Sequence, residues 1–190
     1  MKQGFSGEPL TRWKGDREMI LEEEFYYVDS HGKQWIAPVN SVLNGATIPK
    51  ALWNKIGSPF VGQYRRASVV HDVAVGELDN PDVSLTERKK ADRMFYDACL
   101  HDNCGKQFSL ILYIGVRIGT FLSSWGSLFN KDFTTTFGRE INLELDVQKK
   151  EENEQKVIIE KFEQILEESK DAIAQEDLDG IDDIIEKYKA

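Results

Sequence analysis

The pattern of apolar and polar positions changes period along the chain. Met19-Ile20-Leu21 and Phe25-Tyr26-Tyr27-Val28 are short apolar runs ending at Asp29-Ser30-His31-Gly32, and Gln34-Trp35-Ile36-Ala37-Pro38-Val39 follows. Runs of that length around a turn signal predict a β-hairpin with His31 in its turn. Asn44-Gly45-Ala46-Thr47-Ile48-Pro49 then breaks the pattern, because Asn-Gly favours φ > 0 and the residue before a proline is pushed away from helix.

Helical spacing takes over from Gln63. Ala67, Val70 and Ala74 recur on one face with His71 among them, and Gly76 with Asp79-Asn80-Pro81 supplies the stop. A second helix begins at Ser84, with Glu87 three residues later as a capping box, and runs through Ala91, Phe95 and Ala98 to His101. The third, from Lys106 to Ser124, is the most apolar stretch. Its uninterrupted apolar length falls short of the roughly 18 to 20 residues of a membrane span, and Arg117 lies near its middle, so a buried central helix is predicted. Ser109, Tyr113, Arg117, Thr120 and Ser124 stack along one side of it as a polar stripe.

Further on, Arg139 to Val147 alternates strictly, which predicts a half-exposed strand. Ile158, Phe162, Ile165, Ser169 and Ala172 mark an amphipathic helix, and Leu178, Ile181, Ile184, Ile185 and Tyr188 mark another after a break. The expected fold class is α+β: a small antiparallel sheet, extended by 139–147, packed on a three-helix core and followed by a C-terminal helical hairpin. The expected division is a core at 1–130 and an acidic strand-plus-helix tail at 131–190.

Charge supports that division. Residues 1–130 hold 15 basic and 15 acidic side chains, whereas residues 131–190 hold 9 and 18, so the entire formal charge of −9 belongs to the tail. A neutral core with an acidic appendage argues against a nucleic-acid surface and favours a protein partner met through the tail. Two cysteines, Cys99 and Cys104, make no disulfide framework, and the N-terminus lacks the apolar run of a signal peptide. A reducing, cytoplasmic setting is expected.

The constellation with the most chemistry is His71 and Asp72 in the first helix, Asp92 in the second, and Tyr113 and Arg117 in the third. A carboxylate can orient an imidazole and hold its proton, and a buried guanidinium can grip a phosphate or carboxylate oxygen. His71 and Asp72 project about 100° apart around a helix, so Asp92 is the better partner for His71. The competing reading is structural: a histidine on an apolar face is more often satisfied within a core, and Arg117 can ion-pair with Asp92 merely to join helices. His71, Asp72 and Asp92 could offer three ligands to a divalent metal, but no His-x-x-x-His or Cys-x-x-Cys spacing supports one, so no cofactor is assigned. Asp177-Leu178-Asp179-Gly180 imitates a calcium loop with its glycine two positions early and is read as a helix cap. Gly115 and Gly119 have the spacing of close packing.

The order Asn44-Gly45-Ala46-Thr47-Ile48-Pro49, Leu52-Trp53, Ala67-Ser68-Val69-Val70-His71-Asp72 and Ala91-Asp92 resembles the phage and prophage family labelled domain of unknown function 1353. The resemblance covers about residues 5–125. It implies an Asp-Gly-Ala-Ser-Ile-Pro-Arg-like turn, here with Asn44 for the usual Asp and Lys50 for the usual Arg, and makes Asn44 and Thr47 candidate binding residues. Asn can keep the turn's hydrogen bonds but cannot be an anionic ligand. Phage origin and a cytoplasmic or virion location are further implications. Two functions follow as expectations. One is a small hydrolase acting on a phosphoester, lipid-linked or cell-envelope substrate with His71, Asp92 and Arg117. The other is a noncatalytic accessory, virion or phage–host conflict protein that binds partners through its acidic tail.

Overall fold

The computed structural model describes residues 2–15, 18–45, 47–57, 62–76, 83–129 and 143–188, with side chains omitted at 121–129 and 143–151. The N-terminal segment forms six short strands: β1 (Gly4–Phe5), β2 (Thr11–Trp13), β3 (Met19–Leu21), β4 (Phe25–Val28), β5 (Gln34–Ala37) and β6 (Val42–Leu43). The predicted hairpin is β4–β5, in antiparallel register from Phe25 opposite Ala37 to Val28 opposite Gln34. Asp29 builds its turn by accepting from the backbone N–H groups of His31 and Lys33 at 3.0 and 2.9 Å, while Gly32 takes the φ of +82° that the reversal requires.

Two antiparallel sheets stand where a single sheet is predicted. Their orders are β1-β4-β5 and β2-β3-β6. Leu21, Phe25, Tyr27, Ala37 and Leu43 point from them into the core.

The helices follow the spacing read from the sequence. A 3-10 turn (Lys50–Leu52) and α1 (Trp53–Ile56) lead to α2 (Arg65–Val75), α3 (Leu85–His101) and α4 (Lys106–Phe129). Ser84 caps α3, its Oγ accepting from Glu87 N at 3.1 Å and donating to Glu87 Oε2 at 2.8 Å. Among the described residues no helix is long and apolar enough to cross a membrane.

The glycine pair of α4 receives a loop instead of a helix. A Cβ at Gly119 would lie 1.4 Å from the carbonyl oxygen of Thr47, and one at Gly115 would lie 2.9 Å from Cδ1 of Ile56. Both small residues therefore let the Thr47–Ile48 stretch and α1 settle onto the central helix.

Residues 143–147 are not a strand. They open α5 (Leu143–Glu168), because the helix-forming Gln148-Lys149-Lys150-Glu151-Glu152 run that follows outweighs five alternating positions. The other half of the predicted strand, 139–142, lies outside the described residues. After α5 come α6 (Lys170–Gln175) and α7 (Leu178–Lys187), so the C-terminal hairpin carries a short extra helix at its bend. Asp177 caps α7, its Oδ1 accepting from Gly180 N at 3.0 Å. Phe162, Ile165, Ile181 and Ile185 are buried in the same apolar cluster as the core helices. Each such side chain contributes roughly 1.5–3 kcal/mol through burial.

Candidate functional site

Two facing stripes and one histidine assemble the site, and the i, i+3, i+4 spacing within each stripe accounts for its alignment. From α3 come Lys89, Asp92 and Arg93, from α4 come Tyr113, Arg117 and Thr120, and α2 adds His71. His71 Nε2 lies 2.7 Å from Asp92 Oδ1, with both side chains fully buried. A carboxylate can only accept, so Nε2 carries a proton, and Nδ1 has no hydrogen-bond partner in a ring that lies beside Phe95. The second oxygen of Asp92 accepts from Arg117 Nη1 at 3.1 Å, and Thr120 Oγ lies within 3.1–3.2 Å of both oxygens.

The imidazole, carboxylate and guanidinium thus converge, as the sequence predicts. All three side chains are buried: His71 and Asp92 are 0% exposed and Arg117 2%. Arg117 continues to a second carboxylate, Asp182 of α7. Asp182 Oδ1 accepts from Tyr113 OH at 2.8 Å and Arg117 Nε at 2.9 Å, and Oδ2 accepts from Arg93 Nη2 at 2.7 Å and Lys89 Nζ at 2.8 Å. Asp182 is only 1% exposed. Around it Arg93 also pairs with Asp179, and Glu186 stands 3.7 Å from Arg117 Nη2.

The protonation preferences agree with this arrangement. Burial alone would push the Asp182 carboxyl up, but hydrogen bonds from Lys89 and Arg93, the charge of Arg117 and the Tyr113 hydroxyl together hold it below the ordinary carboxylate range. Burial and the neighbouring Asp182 push the Tyr113 phenol upward, so it stays a donor. Burial disfavours the Arg117 cation, but Asp92, Tyr113 and Asp182 outweigh that and raise its pKa.

Asp72 belongs to a different contact. Its Oδ2 accepts from the backbone N–H groups of Asn44 at 2.6 Å and Gly45 at 3.2 Å, which ties the irregular turn to α2. Burial pushes its carboxyl above the ordinary range despite those two hydrogen bonds. The neighbouring cavity, lined by Gly45, Arg65, Ser68 and Asp72 among others, measures only about 10 Å³, room for a single water at most. The structure places Asn44 at this turn and Thr47 against Gly119. Among the described residues no three His, Cys, Asp or Glu side chains gather as metal ligands.

A family model, described as "Protein of unknown function (DUF1353)", matches residues 19–116, just over half of the 190-residue chain. The chain belongs to DUF1353. Over 52 residues it is 42% identical to the uncharacterized protein y4jT of Sinorhizobium fredii, covering 27% of this chain and 16% of that protein. Over 109 residues it is 32% identical to the uncharacterized protein y4iH of the same organism, covering 57% of this chain and 42% of that protein. The chain thus spans less than half the length of each relative. No solved structure matches it.

Within the DUF1353 match lie His71, Lys89, Asp92, Arg93 and Tyr113. Arg117 and Thr120 fall just past its end, and Asp182 far beyond it. Sequence reasoning found His71, Asp92, Arg117 and Tyr113 but missed Asp182, Arg93 and Lys89. A signal for Asp182 existed: on a helix it falls beside Leu178, Ile181 and Ile185, an acid on the apolar stripe.

Proposed function

We propose that this DUF1353 protein is a noncatalytic interaction protein whose core is a carboxylate clamp for an acidic helix. On this reading the chain's own α7 is that helix. The observation carrying the reading is the single carboxylate of Asp182, sealed from water, with all four lone-pair directions taken by Tyr113, Arg117, Arg93 and Lys89. Remove Asp182 and three cations face one remaining buried anion, Asp92, which is the electrostatic description of an anion site. In this scheme His71 is a positioning residue: it holds Asp92, Asp92 holds Arg117, and Arg117 meets the incoming carboxylate. Residues 1–130 are the receptor and residues 131–190 the docked element. Such a protein acts by contact, in the accessory role that the phage resemblance implies.

The test uses the full chain with a protease site placed between residues 131 and 140, cut after purification. The tail fragment is expected to remain bound, and Asp182→Ala to raise its Kd at least about tenfold, equivalent to about 1.4 kcal/mol. Equal affinities for the two tails would refute the clamp.

One observation favours a second reading as a small hydrolase: the unpartnered Nδ1 of His71, whose Nε2 is held by a carboxylate that also binds a guanidinium. On that reading α7 is a plug. Full-length Asp182→Ala would then hydrolyse an aryl phosphate or aryl ester, and His71→Asn in the same background would abolish it. No turnover in the Asp182→Ala protein would remove the hydrolase reading.

A further inference from the structure

The β4–β5 turn, α3 and the start of α7 enclose a cavity of about 420 Å³, within the size range of small-molecule sites. Of the clamp, only Arg93 reaches it. Its wall contains Trp35, whose indole plane is fixed because Nε1–H donates to Asp29 Oδ2 at 2.8 Å. The Lys33 ammonium rests over that ring, 3.3 Å from its centroid, so an exposed side chain engages the electron-rich face.

Charge accounting in the wall favours an anion. Its two carboxylates are already committed to holding the turn. Asp29 accepts from two backbone amides and the indole, and Asp97 accepts from Tyr27 OH and Ser30 N, both at 2.9 Å. The cations are less occupied. Lys33 forms no ion pair among the described residues, and Lys90 pairs with exposed Glu87 at 3.0 Å. Arg93 spends Nη2 on α7, yet its Nε is buried with no acceptor.

We propose that this cavity binds an aromatic phosphate monoester. The ring stacks on Trp35 in the place of the Lys33 ammonium, and the phosphate oxygens accept from Lys33 and Lys90. The fixed indole means little ordering is needed on binding. The inference is independent of the clamp, since it leaves Asp182 in place.

Titration of the full chain with adenosine 5′-monophosphate and with phenyl phosphate, by calorimetry and by the Trp35 indole N–H resonance, tests it. Saturable binding with a Kd between about 10 μM and 1 mM is expected. Lys33→Ala combined with Lys90→Ala, both at exposed positions, should weaken it at least tenfold, and Trp35→Leu should weaken it for both probes. A clear preference for adenosine monophosphate identifies a nucleotide source, whereas equal binding identifies an aryl phosphate in general. Absence of saturation by either probe at about 5 mM, well above the weakest expected Kd, would overturn the proposal. Binding unchanged in the double-lysine variant would overturn it equally.

Discussion

Replacing Asp182 by alanine removes one acceptor from four donors at once. Tyr113 OH and Arg117 Nε are buried and cannot turn to water, whereas Lys89 and Arg93 are each 36% exposed and can. An orphaned buried hydroxyl costs about 1–3 kcal/mol, and breaking a buried ion pair by deleting one partner costs about 3–5 kcal/mol. These overlap, and Arg117 keeps Asp92, so a total of about 3–5 kcal/mol is expected. With a urea m-value of about 2 kcal/mol per M for a chain of this size, the unfolding midpoint should fall by roughly 1.5–2.5 M. Asp183→Ala, an exposed neighbour on the same helix, is the control and should stay within about 0.5 kcal/mol. Midpoints for the two variants that agree within error would show that the buried carboxylate does not organise the tail.

Two further outcomes follow from the geometry. Gly119→Ala must displace the Thr47 carbonyl and should cost about 3 kcal/mol, while Gly115→Ala meets only the flexible tip of Ile56 and should cost about 1 kcal/mol or less; equal losses of Tm in a thermal scan would contradict the packing of this loop. Asp182 has a folded-state pKa below its unfolded value near 4, so its contribution is present above about pH 4 and is lost as pH falls through the lower folded value. Wild-type stability minus that of Asp182→Asn should therefore shrink only on the acid side of about pH 4, and a difference already falling between pH 7 and 5 would refute the assignment.

Local signals made most of the elements legible. The Asp29–Gly32 turn, the Ser84–Glu87 cap and the Asp177–Gly180 cap each depend on residues within a few positions of one another, and each formed as read. The His71–Asp92–Arg117 convergence was legible because a polar stripe on a greasy helix requires partners, and few polar residues lay on neighbouring apolar faces. What escaped was non-local. The alternation at 143–147 was overridden by the helix-forming run at 148–152 that follows it, and the division of the strands between two sheets depends on pairings across 6 to 24 residues. The closure of the site by Asp182 pairs residues 65 apart, so the neutral core and acidic tail, distinct in composition, turn out to share one apolar cluster and one buried ionic network.

Chemical rescue of Asp182→Ala tests the carboxylate clamp most directly, because it asks the vacated donors to accept an anion that is not attached to the chain. Acetate added at constant ionic strength should restore stability in a saturable manner, by about 1.4 kcal/mol once it stands at ten times its Kd, with no such gain in Asp183→Ala. If acetate and chloride stabilise the Asp182→Ala protein equally across the titration, the core holds no anion clamp.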